Sequence, residues 1–544
     1  MKRILSLCSI LMLGFFIFLT GCGNKQALPD VQGSINVTVF KTALTVKTHF
    51  YDTFEHDLYY DNVKPTVILS SDIEGVVKEI SRKDVSVTKP SVDQSVENPE
   101  ISKNMSGADL DFSGLNSDTN YILKLVISAK GNQKTIATKE VKTISGGESS
   151  EDPILIDSLD MLLGMSKSND AYYKLTKDID CGGSLSSIFN SSNHFSGVLD
   201  GDGHKIINAK FDSNAYSGLL GYMTGATVKD LVLENVSYDA TRTDTWLGGL
   251  AGYAKNCTID NVSINGLNFS HGGQSTKSAY IGGLIGKTIN SKITNCTITG
   301  LEIKVPKSQL NIVVGGLIGN NENTSVVNCN VTGNISATLY YNSNVNGSLH
   351  IGGFVAVNDS NQKIENCWTK TNITVTEPTS VTSTGNKTYS VYVGGFVAGN
   401  IHDTSRINGC AAIGDIDVTL EYAYNVYVGG FAAMFNTRNK VSLVNCVYAP
   451  VEKGINVKLM DYKPSTGEET ETEGDNKEEL VPYAFVSLTI AKVNAESTIT
   501  NVMAYQNLLT IVNQHENVSV VESNISTNID AFSNAIKEII NQLA

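Results

Sequence analysis

Apolar and polar positions alternate with a period of two inside a longer repeat that begins near residue 217. Gly-Gly pairs followed by Leu or Phe recur every 33 to 42 residues, with an aliphatic residue directly before each pair and a polar residue four positions before it. A period of two is typical of β-strands, and a repeat on the order of 20 to 50 residues is typical of stacked units. The pattern therefore predicts one β-strand before each pair. The pairs are Gly248-Gly249, Gly282-Gly283, Gly315-Gly316, Gly352-Gly353, Gly394-Gly395 and Gly429-Gly430.

A second pattern follows each pair and predicts a corner in the chain. One column contains only Asn, Asp or Gly, the residue types that tolerate a left-handed backbone. An aliphatic residue lies two positions before this column and a compact apolar residue lies directly after it. We therefore expect an all-β protein whose repeats stack as a right-handed parallel β-helix, or β-solenoid. The predicted ladder consists of Asn261, Asn295, Asn328, Asn366 and Asn445 at the corner, and of Cys296, Cys329, Cys367, Cys410 and Cys446 after it.

The cysteine column is expected to line the interior. Neighbouring strands lie about 4.8 Å apart, and parallel side chains in register fit the dihedral angle of a disulfide poorly. Compact buried thiols therefore explain the column best. Some disulfide pairing and a metal site are the alternatives, and no cofactor or metal ion is expected.

Residues 34–145 show shorter alternating runs separated by turn residues, which predict a small antiparallel β-sandwich. Residues 115–121 resemble the corner that opens the penultimate strand of fibronectin type III domains. The resemblance implies that the hydroxyl of Tyr121 bonds to upstream backbone and that the domain is a spacer. Residues 146–153 predict a linker.

The first residues have the layout of an export signal. Two basic residues precede an apolar run over residues 4–19, which is shorter than the roughly 20 residues of a transmembrane helix. The run ends in Leu19-Thr20-Gly21-Cys22, which resembles the lipobox of bacterial lipoproteins. The resemblance implies removal of residues 1–21, a lipid on Cys22 and a tether over residues 22–33, so that the membrane is a partner. The protein would lie on the extracellular face of the cell membrane, with a Gram-positive membrane favoured and an outer membrane as the alternative.

Two segments of the repeat, Gly-Gly-Leu-Ile-Gly at 282–286 and Ile-Thr-Asn-Cys-Thr at 293–297, resemble the GLUG repeat of bacterial surface proteins. The resemblance implies a cell-surface array, often beside adhesive or peptidase modules. Peptidase relatives carry a His-Glu-x-x-His zinc helix. Ser519 stands where the second histidine should follow His515-Glu516, so peptidase activity is not expected.

The repeats divide the rest of the chain. Residues 154–216 are expected to form an N-terminal cap with the first strands, and residues 217–455 the GLUG-repeat solenoid. Residues 456–481 predict an acidic loop, and residues 482–544 a degenerate final repeat with a C-terminal capping helix.

A mostly aromatic column lies two positions before the Gly-Gly pairs, and Val313 interrupts it. The aromatic and polar columns are two residues apart, so they lie on the same side of the strand. The rings are therefore expected to point outward, as the polar side chains do. They would offer a platform for sugar rings or, alternatively, stack on one another and stiffen the sheet. The candidate ligand-binding residues are Trp246, Tyr280, His350, Tyr392 and Tyr427.

The net charge and one cluster of acidic residues narrow the range of possible functions. A net charge of −14 argues against nucleic acid as a partner. Residues 200–204 (Asp-Gly-Asp-Gly-His) could serve acid–base chemistry or bind calcium, but Asp-Gly-x-Gly is also a tight turn. We expect a non-enzymatic, membrane-anchored surface lipoprotein with a ligand-presenting or adhesive solenoid, whose partner is a glycan or a host surface protein. The alternatives are a β-helix polysaccharide hydrolase or lyase and a purely structural envelope protein.

Overall fold

In a computed structural model, the chain divides into two compact units, Met1–Gly147 and Glu148–Ala544. The structure describes residues 28, 31–52, 63–73, 75–88, 103–129, 131–212, 215–240, 246–271, 279–308, 311–339, 347–377, 389–400, 404–420, 425–435, 441–459, 483–487, 490–492, 498–505, 509–513, 518–520 and 525–526.

The first unit contains two antiparallel sheets that share one core, which Leu44, Phe50, Leu69 and Leu123 help to form. The backbone N–H of Asn116 donates a hydrogen bond to Oη of Tyr121 at 2.9 Å, which fastens the chain before the strand that carries Tyr121. One sheet contains Val31–Val39, Ala43–Asp52, Val87–Thr88, Lys103–Gly107 and Leu110–Ser113, and the other contains Lys64–Ile73, Val76–Asp84, Asn120–Ala129 and Asn132–Lys142.

The second unit is a parallel β-solenoid with three sheets, which we call the lead, exit and long sheets. Lead strands end at the Gly-Gly pairs, exit strands follow the pairs, and the long sheet contains the strands on either side of the Asn corner. This arrangement confirms the predicted all-β fold, a β-solenoid preceded by antiparallel sheets.

The strand bounds show the repeat directly. The described lead strands are Tyr216–Ser217, Trp246–Gly248, Ala279–Gly282, Ile312–Gly315, Gly347–Gly352, Tyr389–Gly394, Asn425–Gly429, Tyr483–Ser487 and Val518–Val520. The described exit strands are Gly221–Thr224, Ala251–Lys255, Ile285–Ile289, Ile318–Glu322, Val355–Asp359, Val397–Asn400, Ala432–Phe435 and Ile490–Lys492.

The long sheet begins before the first lead strand. Its first strands are Ile154–Ile156, Tyr172–Leu175, Ile179–Leu185, Val198–Asp200 and Lys205–Phe211. It continues with Thr227–Ala240, Thr258–His271, Lys292–Thr294, Thr297–Ser308, Ser325–Val327, Asn330–Leu339, Lys363–Glu365, Trp368–Thr376, Arg406–Asn408, Ala411–Ile413, Ile416–Leu420, Ser442–Ala449, Ile455–Leu459, Thr498–Tyr505, Leu509–Asn513 and Ile525–Ser526. The strand Ile455–Leu459 pairs with Ile416–Leu420. Residues 456–459 therefore belong to the sheet, and the prediction that the acidic loop starts at residue 456 is wrong.

A short helix, Leu159–Gly164, follows the first solenoid strand and continues as the 3-10 turn Met165–Lys167. Leu162 and Met165 are fully buried, so the helix closes the start of the core. Its N-cap is Ser158, without a side-chain hydrogen bond to the helix.

The corner column adopts the backbone conformation that its residue types predict. Asn261, Asn295, Asn328, Asn366 and Asn445 have φ between 53° and 56°. Their amides also connect neighbouring coils, since Nδ2 of Asn261 donates to Oδ1 of Asp230 at 2.7 Å. Asn and Asp tolerate this left-handed conformation because their short polar side chains form local hydrogen bonds.

The cysteine column lies inside the solenoid. Each of Cys296, Cys329, Cys367, Cys410 and Cys446 is fully buried. Each thiol donates to the carbonyl oxygen two residues earlier, with S···O distances of 3.2 to 3.4 Å. Burial raises the pKa of Cys296, Cys367 and Cys410. The seven described cysteines form no disulfide.

At the second glycine of the Gly-Gly pairs, the backbones of successive coils approach each other closely. A methyl group on Gly283 would overlap the carbonyl oxygen of Gly316, and a methyl group on Gly316 would overlap that of Gly353. At the first glycine of a pair the obstacle is the same coil, since a methyl group on Gly282 would overlap the carbonyl oxygen of Ile285. Both positions are glycine because of these close approaches and not because of a left-handed φ.

Polar side chains also stack inside the solenoid, on the exit strands and just before the long sheet. Nδ2 of Asn321 donates to Oδ1 of Asn358 at 2.8 Å, and Nδ2 of Asn358 donates to Oγ of Ser405 at 3.3 Å. All three residues are fully buried. Such groups are stable in a core only when they are hydrogen-bonded, and these side chains satisfy one another from coil to coil.

Candidate functional site

The lead and exit strands meet along a line formed by the outer sides of their two sheets, which we call the aromatic seam. It consists of the residues two positions before each Gly-Gly pair, those four positions after the second glycine, and the register partners Tyr216 and Tyr222 in the preceding coil, which has no Gly-Gly pair. The bend that brings them together needs small residues, since a methyl group on Gly252 would overlap the carbonyl oxygen of Trp246. The lead column of the seam is Tyr216, Trp246, Tyr280, Val313, His350, Tyr392 and Tyr427. The exit column is Tyr222, Tyr253, Lys287, Asn320, Val357, Gly399 and Met434.

Five rings from three successive coils form one group at the start of the seam, which we call the ring cluster: Tyr216, Tyr222, Trp246, Tyr253 and Tyr280. Tyr222 and Tyr253 stack with their centroids 4.5 Å apart. The Trp246 ring lies 4.6 Å from Tyr216 and 5.8 Å from Tyr253. All five residues are partly exposed, so the cluster presents aromatic surface to solvent.

Tyr222 and Tyr253 were not among the predicted site residues. Their signal in the sequence is a second aromatic column, four positions after the second glycine of each pair. This column is aromatic only in the first two coils, which makes it hard to recognise without the fold.

The predicted outward stripe is not continuous, because Val313 separates a second group from the ring cluster. This second group, which we call the inner stack, consists of His350, Tyr392 and Tyr427, with centroids 4.4 Å and 5.0 Å apart. Tyr427 is only 7% exposed and packs against Ala433 and Met434. The prediction that it points outward into solvent is therefore wrong. The exit strands cover this part of the lead column where the two sheets fold against each other.

Two charged groups and an amide border the ring cluster. Nζ of Lys287 lies 3.0 Å from Oε2 of Glu322, and the side chains are 23% and 40% exposed. Asn320 follows Lys287 in the exit column, and its Oδ1 is buried without a hydrogen-bond partner among the described residues.

Burial shifts the pKa of several ring residues of the seam. Burial raises the pKa of Tyr253 to about 12, and Tyr222 and the Glu322 carboxylate add to this effect. Burial also raises the pKa of Tyr216. At His350, burial lowers the pKa to about 4, and its Nδ1 has no hydrogen-bond partner in the described part of the chain.

The acidic segment at residues 200–204 forms a turn whose carboxylates have cationic partners. Asp202 has a left-handed φ of 48° and Gly203 one of 79°, as a tight turn requires. Asp200 lies 2.6 Å from Nζ of Lys229, and Asp202 lies 3.1 Å from Nζ of Lys174. Among the described residues, no group of three or more His, Cys, Asp or Glu side chains is arranged to hold a metal ion.

Several predicted features lie outside the described residues: the lipidation site Cys22, the pair His515-Glu516, the acidic segment after residue 459 and the C-terminal helix. In the part of the chain that the structure describes, no helix is both long enough and apolar enough to span a membrane.

The fold defines the second unit as a β-solenoid repeat protein. Within it, residues 278–304 and 311–336 match the family model described as the GLUG motif, which confirms the predicted repeats. A stretch of 141 residues is 31% identical to Halomucin of Haloquadratum walsbyi (strain DSM 16790 / HBSQ001). The match covers 22% of this chain and 2% of that protein, so the chain spans a small fraction of its relative's length.

Proposed function

We propose that this chain is an extracellular, lipid-anchored surface protein whose solenoid binds glycans without catalysing a reaction. The ring cluster carries the proposal, because it holds five partly exposed aromatic side chains together on one external line. The lipobox-like segment at Cys22 and the GLUG motifs support an extracellular position. The similarity to a protein named Halomucin supports the same position.

The spacing of the rings favours an extended sugar chain. Aromatic faces are apolar, and pyranose rings present apolar C–H faces that stack on them. Successive coils of a parallel solenoid are about 4.8 Å apart, which is close to the length of one residue in an extended glycan. A chain lying along the seam would meet Tyr216, Trp246 and Tyr280 one after another, so the cluster suits about three sugar residues.

The polar groups near the solenoid's start favour binding over hydrolysis. A polysaccharide hydrolase needs two carboxylates placed to protonate the leaving group and to activate water or attack the sugar. Asp200 and Asp202 are instead engaged by lysines within a turn. We therefore favour a binding protein over the hydrolase or lyase alternative.

Glycan binding predicts a fluorescence signal from one tryptophan. The chain has two tryptophans, Trp246 and Trp368, so Trp368→Phe leaves Trp246 as the only one. Titration of this variant with neutral and acidic trisaccharides should change the Trp246 emission and give a dissociation constant. Replacing Tyr253 by Ala in the same background should weaken binding about tenfold, as for an aromatic residue at the centre of a binding site.

Tyr253→Phe is the matched control, because it keeps the ring and should bind within about twofold of the parent. Circular dichroism shows whether each variant is folded. If the emission of Trp246 does not respond to any trisaccharide, or if Tyr253→Ala binds as well as the parent, the rings only stiffen the sheets and the purely structural function is preferred.

Lipid anchoring makes a separate prediction. Cells that express the chain and grow with an alkyne-labelled fatty acid should incorporate the label into the protein. Cys22→Ala should abolish the incorporation and release the protein from the membrane fraction, since stable anchoring needs more than one acyl chain. Cys8→Ala is the control and should leave both results unchanged. Equal labelling of the Cys22→Ala variant would contradict the anchor.

A further inference from the structure

An ion pair closes one side of the ring cluster. Lys287 continues the exit column directly after Tyr222 and Tyr253, and its strand also contacts the lead strand that carries Trp246. Its Nζ lies 3.0 Å from Oε2 of Glu322, and both side chains are partly exposed. A ligand on the rings would therefore reach a hydrogen-bond donor and an acceptor at the same edge.

The chemistry of this pair suits two neighbouring hydroxyl groups. An ammonium only donates hydrogen bonds and an ionised carboxylate only accepts them, so one sugar hydroxyl can accept from Lys287 while the next donates to Glu322. Bonds to ionised groups are stronger than bonds between neutral groups. Because the two side chains already hold each other in place, they need little reorganisation to bind such a diol.

The surrounding charge disfavours an acidic ligand. Glu322 pairs in register with Asp359 on the next exit strand, so two acidic residues occupy adjacent strands whose backbones are about 4.8 Å apart. Lys287 neutralises only one of them, and the whole chain carries a net charge of −14. A uronic or sialic acid at this edge would meet this negative charge.

We propose that Lys287 and Glu322 determine the specificity of the ring cluster, and that its ligand is a neutral oligosaccharide with neighbouring free hydroxyl groups. This inference rests on the proposed function, because the rings must first bind a glycan. It adds the class of sugar and the two residues that recognise it.

The test uses the full chain with Trp368→Phe and two sets of probes. One set contains trisaccharides of glucose, galactose, mannose and N-acetylglucosamine, and the other contains trisaccharides of glucuronic and galacturonic acid. The tightest ligand should be neutral. Glu322→Gln and Lys287→Gln should each weaken its binding about tenfold, the effect expected for one hydrogen bond to a charged group. Glu365→Gln is the matched control, since it removes an ion pair with Lys363 (2.6 Å) outside the seam and should change nothing.

A deoxy version of the tightest ligand separates recognition from a merely structural effect. If Glu322 accepts a hydrogen bond from one hydroxyl, the trisaccharide that lacks it should bind the parent and Glu322→Gln equally. An additional loss with the deoxy sugar would mean that Glu322 acts only through the fold. Tighter binding of a uronic acid trisaccharide, or unchanged binding in both variants, would overturn the inference while the ring dependence still holds. If no trisaccharide binds the parent, the proposed function itself fails.

Discussion

Gly316→Ala is expected to destabilise the middle of the solenoid by more than about 3 kcal/mol, which is large for a single methyl group. The added Cβ would overlap the carbonyl oxygen of Gly353 on the next coil, and the backbone there cannot move without breaking its own hydrogen bonds. One of these is the bond from the N–H of Gly316 to the carbonyl of Gly352, at 3.1 Å. Native-state hydrogen exchange should show at least about a hundredfold loss of protection in the strands Ile312–Gly315 and Gly347–Gly352.

Gly399→Ala, two coils further along the solenoid, provides the matched control. A methyl group there would meet only the ring of His350, 3.4 Å from Nδ1, which is an ordinary van der Waals contact. We expect a change within about 0.5 kcal/mol for this variant, because it creates neither overlap nor a left-handed strain. Equal protection in Gly316→Ala and the wild-type protein would contradict the close approach of the coils at Gly316.

The sequence was sufficient to predict the solenoid because like residues recur at like positions. When parallel coils stack in register, equivalent residues of successive repeats share one environment. The conformation of Asn328 and the burial of Cys329 therefore follow from residue type and spacing. The recurrence of one pattern in successive repeats outweighs the weak β-propensity of any single strand.

The aromatic seam could not be derived in the same way. A period of two distinguishes the inner side of a strand from its outer side, but it does not show whether two outer sides face each other. The chain bends after each Gly-Gly pair, and this bend folds the lead and exit sheets against each other. Tyr427 is therefore buried although it lies on the outer side of its strand. Recognising the seam requires knowing how sharply the chain turns at Gly252, and this depends on contacts between coils.

The buried polar side chains could not be predicted from the sequence, for a related reason. Asn321 and Asn358 occupy inward positions where an alternating pattern predicts apolar residues. They are stable there because each one finds its partner in the next coil, at 2.8 Å between Nδ2 and Oδ1. A stack of identical amides can satisfy itself only when the repeats are in register, so the polar column becomes understandable once the register is known.

Acidification from about pH 6.5 to pH 4 is expected to destabilise the inner stack by about 3 kcal/mol through His350 alone. Burial lowers the pKa of His350 to about 4, whereas the unfolded chain binds this proton near pH 6.5. The stability contributed by the neutral imidazole is therefore fully present above pH 6.5 and is lost as the pH falls toward 4. Urea midpoints measured across this range should decrease, together with hydrogen-exchange protection in the strands Gly347–Gly352 and Tyr389–Gly394.

His350→Phe isolates this effect from the carboxylates that also titrate in acid. Phenylalanine keeps a flat ring in the position where the imidazole stacks on Tyr392, with centroids 4.4 Å apart, and it cannot bind a proton. The variant should match the wild-type protein at neutral pH, since Nδ1 of His350 makes no hydrogen bond that would be lost in the described part of the chain. Its stability should fall less in acid, and the difference between the two proteins should grow between pH 6.5 and 4. Parallel acid curves for the two proteins would show that the imidazole is protonated freely in the folded state, and that the seam is open to water at His350.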